Sequence, residues 1–217
     1  GNTIVTLTTP AFTIAGVNRA ALLGLSHSST TGTAFSGDVV GVPATLVTGT
    51  DSGATVTKRT QMWSVIAPPT GSGTATMSWT TSLNATLGVI TATGVDQTAP
   101  VNNGTFNTGT SGNPSVVVTT TSNDLAMDTV AVVPSETLSS PTGTLAWNET
   151  SISFSPGAGS RAIATPNFTF TWTATLGTGD WASSGANFVE WVLPAVMHNL
   201  TFILTADVIF SGLPRSI

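Results

Sequence analysis

The run Phe168-Thr169-Phe170-Thr171-Trp172-Thr173-Ala174-Thr175 puts an apolar side chain at every even position and a hydroxyl at every odd one. A period of two sends the two sets to opposite faces of an extended chain, and a strand buried on one face satisfies it. The alternation returns in Thr74-Ala75-Thr76-Met77-Ser78-Trp79, with Met77 and Trp79 on the apolar side. Hydroxyls stand where charges usually stand: Lys, Arg, Asp and Glu make 7% of the 217 residues, against roughly a quarter in ordinary soluble domains. Such a surface has few like-charge clashes and few ions to desolvate when one copy packs on another. We expect a surface made to be covered.

Turn residues punctuate the chain throughout, at Gly37-Asp38, Pro68-Pro69, Gly71-Ser72-Gly73, Asn102-Asn103-Gly104, Gly112-Asn113-Pro114 and Pro156-Gly157-Ala158-Gly159 among others. Between them the sequence predicts strands at 4–7, 20–26, 44–47, 60–66, 74–80, 87–94, 115–120, 125–133, 144–148, 152–154, 168–175, 187–193 and 200–210. Val116-Val117-Val118 is apolar on both faces, as is Val130 to Val133, so both read as central strands, and Asp128 sits in the second as a carboxylate in need of partners. No long segment has the 3.6-residue period and cap of a helix. The fold class is all-β: an antiparallel, jelly-roll-like β-sandwich, one domain over 1–217, with 197–217 a C-terminal strand extension. A faint echo, Ser78-Trp79-Thr80 against Thr171-Trp172-Thr173 at an offset of 93 residues, fits two mirrored halves of a jelly roll and fits chance in a Thr-rich chain equally well.

Composition excludes several functions. The net charge is −5, and the only cations are Arg19, Lys58, Arg59, Arg161 and Arg215, too few and too scattered to track a phosphate backbone, so no nucleic acid is expected. No run of 18 apolar residues is present, so no helical membrane span is expected. Cysteine is absent, which removes disulfides, thiolate nucleophiles and zinc-thiolate sites. The histidines are His27, in the polar run Ser26-His27-Ser28-Ser29-Thr30 and expected in solvent, and His198 beside the last strand. Neither sits in a nucleophile motif, and Glu136, Glu149 and Glu190 are isolated, unlike a paired glycosidase set. Asp51, Asn123-Asp124 and Asp128 lack the alternating acidic pattern of a calcium loop. Lys58-Arg59 reads as a solvated turn. We expect no enzyme, no cofactor and no metal. Position 1 is Gly with no signal-like stretch after it, which fits either an exported protein whose leader was removed or a piece of a longer chain.

Asn18-Arg19-Ala20-Ala21-Leu22-Leu23-Gly24-Leu25, Gln61-Met62-Trp63-Ser64-Val65-Ile66-Ala67-Pro68-Pro69-Thr70-Gly71, Gly94-Val95-Asp96-Gln97-Thr98-Ala99-Pro100 and Asp124-Leu125-Ala126-Met127-Asp128 occur in that order. In these patterns the chain resembles, over residues 10–196, a β-sandwich family of secreted bacterial proteins and phage virion and tail proteins. The resemblance implies a sandwich with a structural or surface-binding role, at an extracellular, cell-surface or virion location, and carries no catalytic activity. Beyond it, Leu200, Phe202, Leu204, Ala206, Val208 and Phe210 form an unbroken apolar face. Exposing it would cost several kcal/mol at about 25 cal/mol per Å², so it docks in its own sheet or in a neighbour's.

Two functions fit. The first is a non-enzymatic structural subunit of an exported filament or virion appendage, copies of the chain pairing through terminal strands, with Ile4, Val5, Leu7, Leu200, Phe202, Leu204, Val208 and Phe210 as assembly residues. The second is a carbohydrate- or surface-binding module, polysaccharide its partner, with Trp181 in the polar run Gly179-Asp180-Trp181-Ala182-Ser183 as the contact unless it plugs the sandwich end. Glycosylation sequons stand at Asn84, Asn103, Asn148, Asn167 and Asn199. Asn84, Asn103 and Asn148, near turns, are the expected acceptors.

Overall fold

The computed structural model describes residues 5–28, 33–49, 58–81, 83–121, 123–132, 137–149, 157–163, 166–175 and 179–190. The first half contains β1 (Val5–Thr8), β2 (Phe12–Ile14), β3 (Ala20–His27), β4 (Phe35–Val39), β5 (Val42–Pro43), β6 (Thr45–Gly49), β7 (Arg59–Ile66), β8 (Gly71–Gly73), β9 (Ala75–Trp79) and β10 (Ala85–Ala92). An outer sheet, β1-β9-β4-β5, faces an inner sheet, β10-β3-β7-β6, and β2 pairs with β8 beside them. Leu7, Val39, Met77 and Trp79 from the outer sheet close on Leu23, Leu25, Trp63, Val65, Leu87 and Val89 from the inner one.

The second half contains β11 (Val101–Gly109), β12 (Ser115–Val118), β13 (Leu125–Val132), β14 (Leu138–Ser139), β15 (Thr144–Glu149), β16 (Gly157–Ile163), β17 (Phe168–Thr171), β18 (Thr173–Ala174) and β19 (Trp181–Phe188). Its inner sheet is β11-β19-β13-β16-β15. Its outer layer is the pairs β12-β17 and β14-β18, with Trp172 at the break between β17 and β18. All pairings are antiparallel, and no helix occurs among the described residues.

The two halves share an inner-sheet strand arrangement. β3 and β13 hold the same place, each between the half's last inner strand (β10, β19) and the neighbour of its bulged edge strand (β7, β16). Each starts two residues after an asparagine with positive φ, Asn18 at 51° and Asn123 at 75°. The edge strands β6 and β15 each carry a bulge at the matching step, after Leu46 and after Leu145. Trp79 and Trp172 hold matching places in the outer layers, so the 93-residue echo is structural. The all-β, antiparallel, sandwich-like fold expected from the sequence is what the chain makes, with its sheets arranged in two matching halves.

The inner sheets then pack on each other through the same patch. Ala20, Leu22, Ile90 and Ala92 meet their counterparts Leu125, Met127, Ala186 and Phe188 in one core. A patch that packs on its own equivalent defines a two-fold relation, here a pseudo-two-fold within one chain. Four layers result, and every residue of β3, β10, β13 and β19 is buried. On one side of the axis the contact is polar: Ser26 Oγ and Thr129 Oγ1 lie 3.1 Å apart, and Thr60 Oγ1 and Ser184 Oγ 2.8 Å apart. Beside Thr129 the Trp147 indole lies over Gly24, Gly88 and Gly159, where any Cβ would overlap its ring.

Several expectations change. The glycine run at 157–159, read as a turn, lies in β16, where a side chain at Gly159 would meet the Trp147 ring and one at Gly157 would meet Ser26 and Thr86. The last described strand is β19, whose small residues Ala182-Ser183-Ser184-Gly185-Ala186 suit burial on both faces; it covers 181–188 in place of 187–193. Val117 is half exposed while Val116 and Val118 are buried, so that strand lies in an outer layer with one covered face. The alternation in β9 and β17 holds: Met77, Trp79, Phe170 and Trp172 are buried, Phe168 is half-buried, and Thr169 is exposed. The strands expected at 152–154 and 200–210 lie outside the described residues.

If the Trp147 ring on its glycines joins the halves, Trp147→Ala should lower the unfolding free energy by about 3–5 kcal/mol. Gly88→Ala should lower it by about 1–3 kcal/mol through overpacking. Thr169→Ala, on the exposed face, should stay within about 0.5 kcal/mol. Urea denaturation of the three variants measures all of these.

Candidate functional site

Asp128, Asp124 and Arg19 are bonded into the frame. Asp128 is fully buried in mid-strand; its Oδ1 accepts from the Ser160 N–H at 2.8 Å and from the Ser160 hydroxyl at 2.7 Å, and its Oδ2 from the Trp172 indole N–H at 2.6 Å. In the first half its place is taken by Leu23, and there the Trp79 indole nitrogen is buried without a partner among the described residues. Asp124 gathers the Thr121 N–H at 2.8 Å, Asn187 Nδ2 at 2.8 Å and the Glu190 N–H at 3.4 Å. Its counterpart Arg19 donates to the carbonyls of Pro68 and Gly16, each at 2.8 Å. Each sandwich thus ties its end loops with one charged side chain at the same position, of opposite sign. The carboxylates considered for calcium are taken by N–H donors, with Asp51 outside the described residues. No cluster of three or more metal-ligating side chains occurs among the described residues.

His27, Lys58 and Arg59 correct the sequence reading. His27 ends β3 and is 1% exposed, with its ring 4.5 Å from that of Phe35. Lys58 and Arg59 are buried where β7 begins, not in a solvated turn. Burial first, then the Arg59 and Lys58 cations, pushes His27 down to about 3, and burial pushes Lys58 down to about 8. The apolar strand in front of His27 was the signal: eight consecutive buried positions carry it inward.

Trp181 is also corrected. It opens β19, is 6% exposed, donates its indole N–H to the Ser111 carbonyl at 3.1 Å and packs on Gly109, so it plugs the sandwich end. Trp63, Trp79, Trp147 and Trp172 are buried as well. The described tryptophans therefore offer no open ring for a sugar to stack on.

Among the terminal assembly residues, Val5 and Leu7 are tied into the chain's own outer sheet, with Val5 opposite Trp79 and Leu7 opposite Met77. That corrects the expectation of a first strand free to pair elsewhere, since Leu7 is buried in the first core. Ile4, Leu200, Phe202, Leu204, Val208 and Phe210 lie outside the described residues.

The structure exposes a pair that sequence reasoning missed. Leu46 on β6 and Leu145 on β15 are 48% and 51% exposed, each just before its bulge. The shared Thr-Leu at 45–46 and 144–145 was the available signal. β11 lies over β6, with Gly104 against Val47 and Thr48, while β15 stands at the far end of the sheet that contains β11. The two leucines therefore mark opposite sides of the four-layer stack.

The sequons differ in access. Asn167 is exposed at φ 59° in the turn before β17. Asn148 is half-buried and its Nδ2 donates to the Leu138 carbonyl at 2.8 Å. Asn84 is half-buried at the head of β10, Asn103 falls within β11, and Asn199 lies outside the described residues. Expressed in a glycosylating host, the protein should carry glycan on Asn167 and none on Asn148, as glycopeptide mass spectrometry will read.

Burial holds the Asp128 carboxyl at about 6 against an ordinary 3.8, with the Trp172 and Ser160 bonds pulling the other way. A proton held more tightly in the folded chain stabilises it fully below about pH 4, and the contribution, about 3 kcal/mol, is lost as the pH rises through about 6. His27, depressed in the fold, acts in the opposite sense: its stabilisation is present above about 6.5 and is lost as the pH falls toward 3. Asp128→Asn should therefore give stability that rises more steeply between pH 4 and 6 than in the native chain. Facing the Trp172 N–H with an amide donor, it should also be less stable at pH 4 by about 1–3 kcal/mol. Urea titrations across that range check both.

No model of a known protein family matches the chain, and no curated protein matches it.

Proposed function

We propose that the chain is a non-enzymatic structural subunit of an exported assembly, an extracellular filament or a virion appendage, and that its copies associate edge to edge. The observation that carries this reading is the pair Leu46 and Leu145: matching edge strands, matching positions, half-exposed side chains, opposite sides of the stack. An edge that presents one leucine on each side can meet the opposite edge of a second copy, and that contact leaves both outer edges open to further copies. A head-to-tail contact that does not close propagates as a fibre. The bulges limit a backbone ladder at these edges, so side-chain burial supplies much of the contact. The hydroxyl faces and the low charge favour close packing of copies. The carbohydrate-binding alternative loses its anchor with Trp181 buried.

Leu46→Glu and Leu145→Glu, each alone, should convert higher assemblies into monomers by light scattering and negative-stain microscopy. Mixed, the two variants retain one intact pair between them and should stop at a heterodimer. A native protein that is monomeric at high concentration, or assemblies indifferent to both substitutions, would overturn the reading.

A further inference from the structure

Not every polar atom between the inner sheets finds a partner. The Trp147 indole Nε1 and the Arg161 Nη1 are both shut off from solvent, and neither has a hydrogen-bond partner among the described residues. Both groups only donate, since an indole N–H and a guanidinium have no lone pair to offer. They cannot satisfy each other, and no rotation of either would help. A buried donor without an acceptor is costly and rare.

The two donors belong to one face of neighbouring strands. Arg161 on β16 stands opposite Met127 on β13 and Thr144 on β15. Directly opposite residues share a face, and Met127 lies in the core between the inner sheets, so the Arg161 side chain leaves its strand on that face. Gly159, two residues earlier, shares the face, and the Trp147 ring lies on it with Cε2 2.7 Å from where a Cβ would stand. Nε1 is bonded to Cε2. Neighbouring positions on one face are about 7 Å apart along a strand, a span that an arginine side chain crosses. Arg161 is half-buried, which puts the pair at the rim of the interface.

The matching place in the first half has neither group. Thr48 is opposite Met62 where Trp147 is opposite Gly159, and Ser64, opposite Leu22 and Thr45, holds the position of Arg161. Indole and guanidinium therefore enter this interface together, on one side only. The charge decides what they require. Burial is the one cause that moves the Arg161 guanidinium, downward from its ordinary value, and no carboxylate beside it holds it up. Water would answer the two N–H groups and leave the charge unbalanced, whereas an anion answers both.

We infer that Trp147 and Arg161 hold a small monovalent anion, with chloride the simplest, at the rim between the inner sheets. The indole N–H and a guanidinium N–H donate to it, and its one negative charge balances the one cation. The ion then fastens the edge strand β15, through Trp147, to β16, through Arg161. The inference stands apart from the assembly reading, because it uses neither Leu46 nor Leu145.

Urea denaturation of the full chain at constant ionic strength, with chloride replacing the bulkier gluconate, tests it. The native midpoint should rise along a saturating curve as chloride binds the folded chain. Trp147→Phe keeps a ring over the glycines and loses only the N–H, while Arg161→Gln loses the charge. Each should weaken the apparent chloride affinity at least about tenfold. Arg161→Gln carries the test should Trp147→Phe fail to fold. In bromide-soaked crystals an anomalous peak should stand within hydrogen-bond reach of Nε1 and Nη1. A native midpoint indifferent to the exchange, a rise shared equally by both variants, or soaked crystals with no peak at that place would overturn the inference.

Discussion

The Trp147 indole laid over Gly24, Gly88 and Gly159 is the contact on which the rest of the molecule depends. Those glycines come from β3 and β10 of one inner sheet and β16 of the other, so one ring spans both sheets. Each sandwich alone would bury one face of its inner sheet and leave the other wet. Packed together, the inner sheets are covered on both faces, and their strands must be apolar or small at every position. That is why β3 is Ala-Ala-Leu-Leu-Gly-Leu-Ser-His and β19 is Trp-Ala-Ser-Ser-Gly-Ala-Asn-Phe, sequences with no alternation. Across the pseudo-two-fold the same interface is held by hydroxyl pairs, Ser26 with Thr129 and Thr60 with Ser184. The matching halves thus fill the shared interface with different side chains.

The matching positions of the two halves also show how a chain with so few charges uses some of them. Position 128 is aspartate where the first half has Leu23, and the carboxylate gives the Trp172 N–H and Ser160 their partners. Arg19 and Asp124, at matching positions, satisfy backbone carbonyls in one half and backbone N–H groups in the other. A buried ion is costly unless it is bonded, and here the bonds are to the chain itself. Asp128, Asp124 and Arg19 serve here as structural cement.

How far this was legible in the sequence depends on which layer a strand occupies. Outer strands such as β9 and β17 are covered on one face, and their period of two is plain. Inner strands carry no period; β3 and β13 were legible as apolar runs, but β16 and β19, made of glycine, alanine and serine, looked like turn and loop. The composition that reads as a breaker is here a response to neighbours on other strands, Trp147 over Gly159, Ser26 and Thr86 against Gly157 and Val118 against Gly185, which no local pattern can reveal. His27 and Lys58-Arg59 were misplaced for the same reason, polar neighbours in sequence concealing an apolar environment in space. Leu46 and Leu145 escaped notice because their meaning lies in a symmetry that only the paired sheets display. The Trp79 and Trp172 echo was legible, and its cause was not.

If the inner sheets form one shared core, the two sandwiches have no independent stability. Hydrogen exchange followed peptide by peptide through a urea titration tests this most directly, comparing β3 and β10 with β13 and β19. A single midpoint common to all four strands is the predicted result. Two separated transitions, with β3 and β10 opening at one urea concentration and β13 and β19 at another, would contradict it.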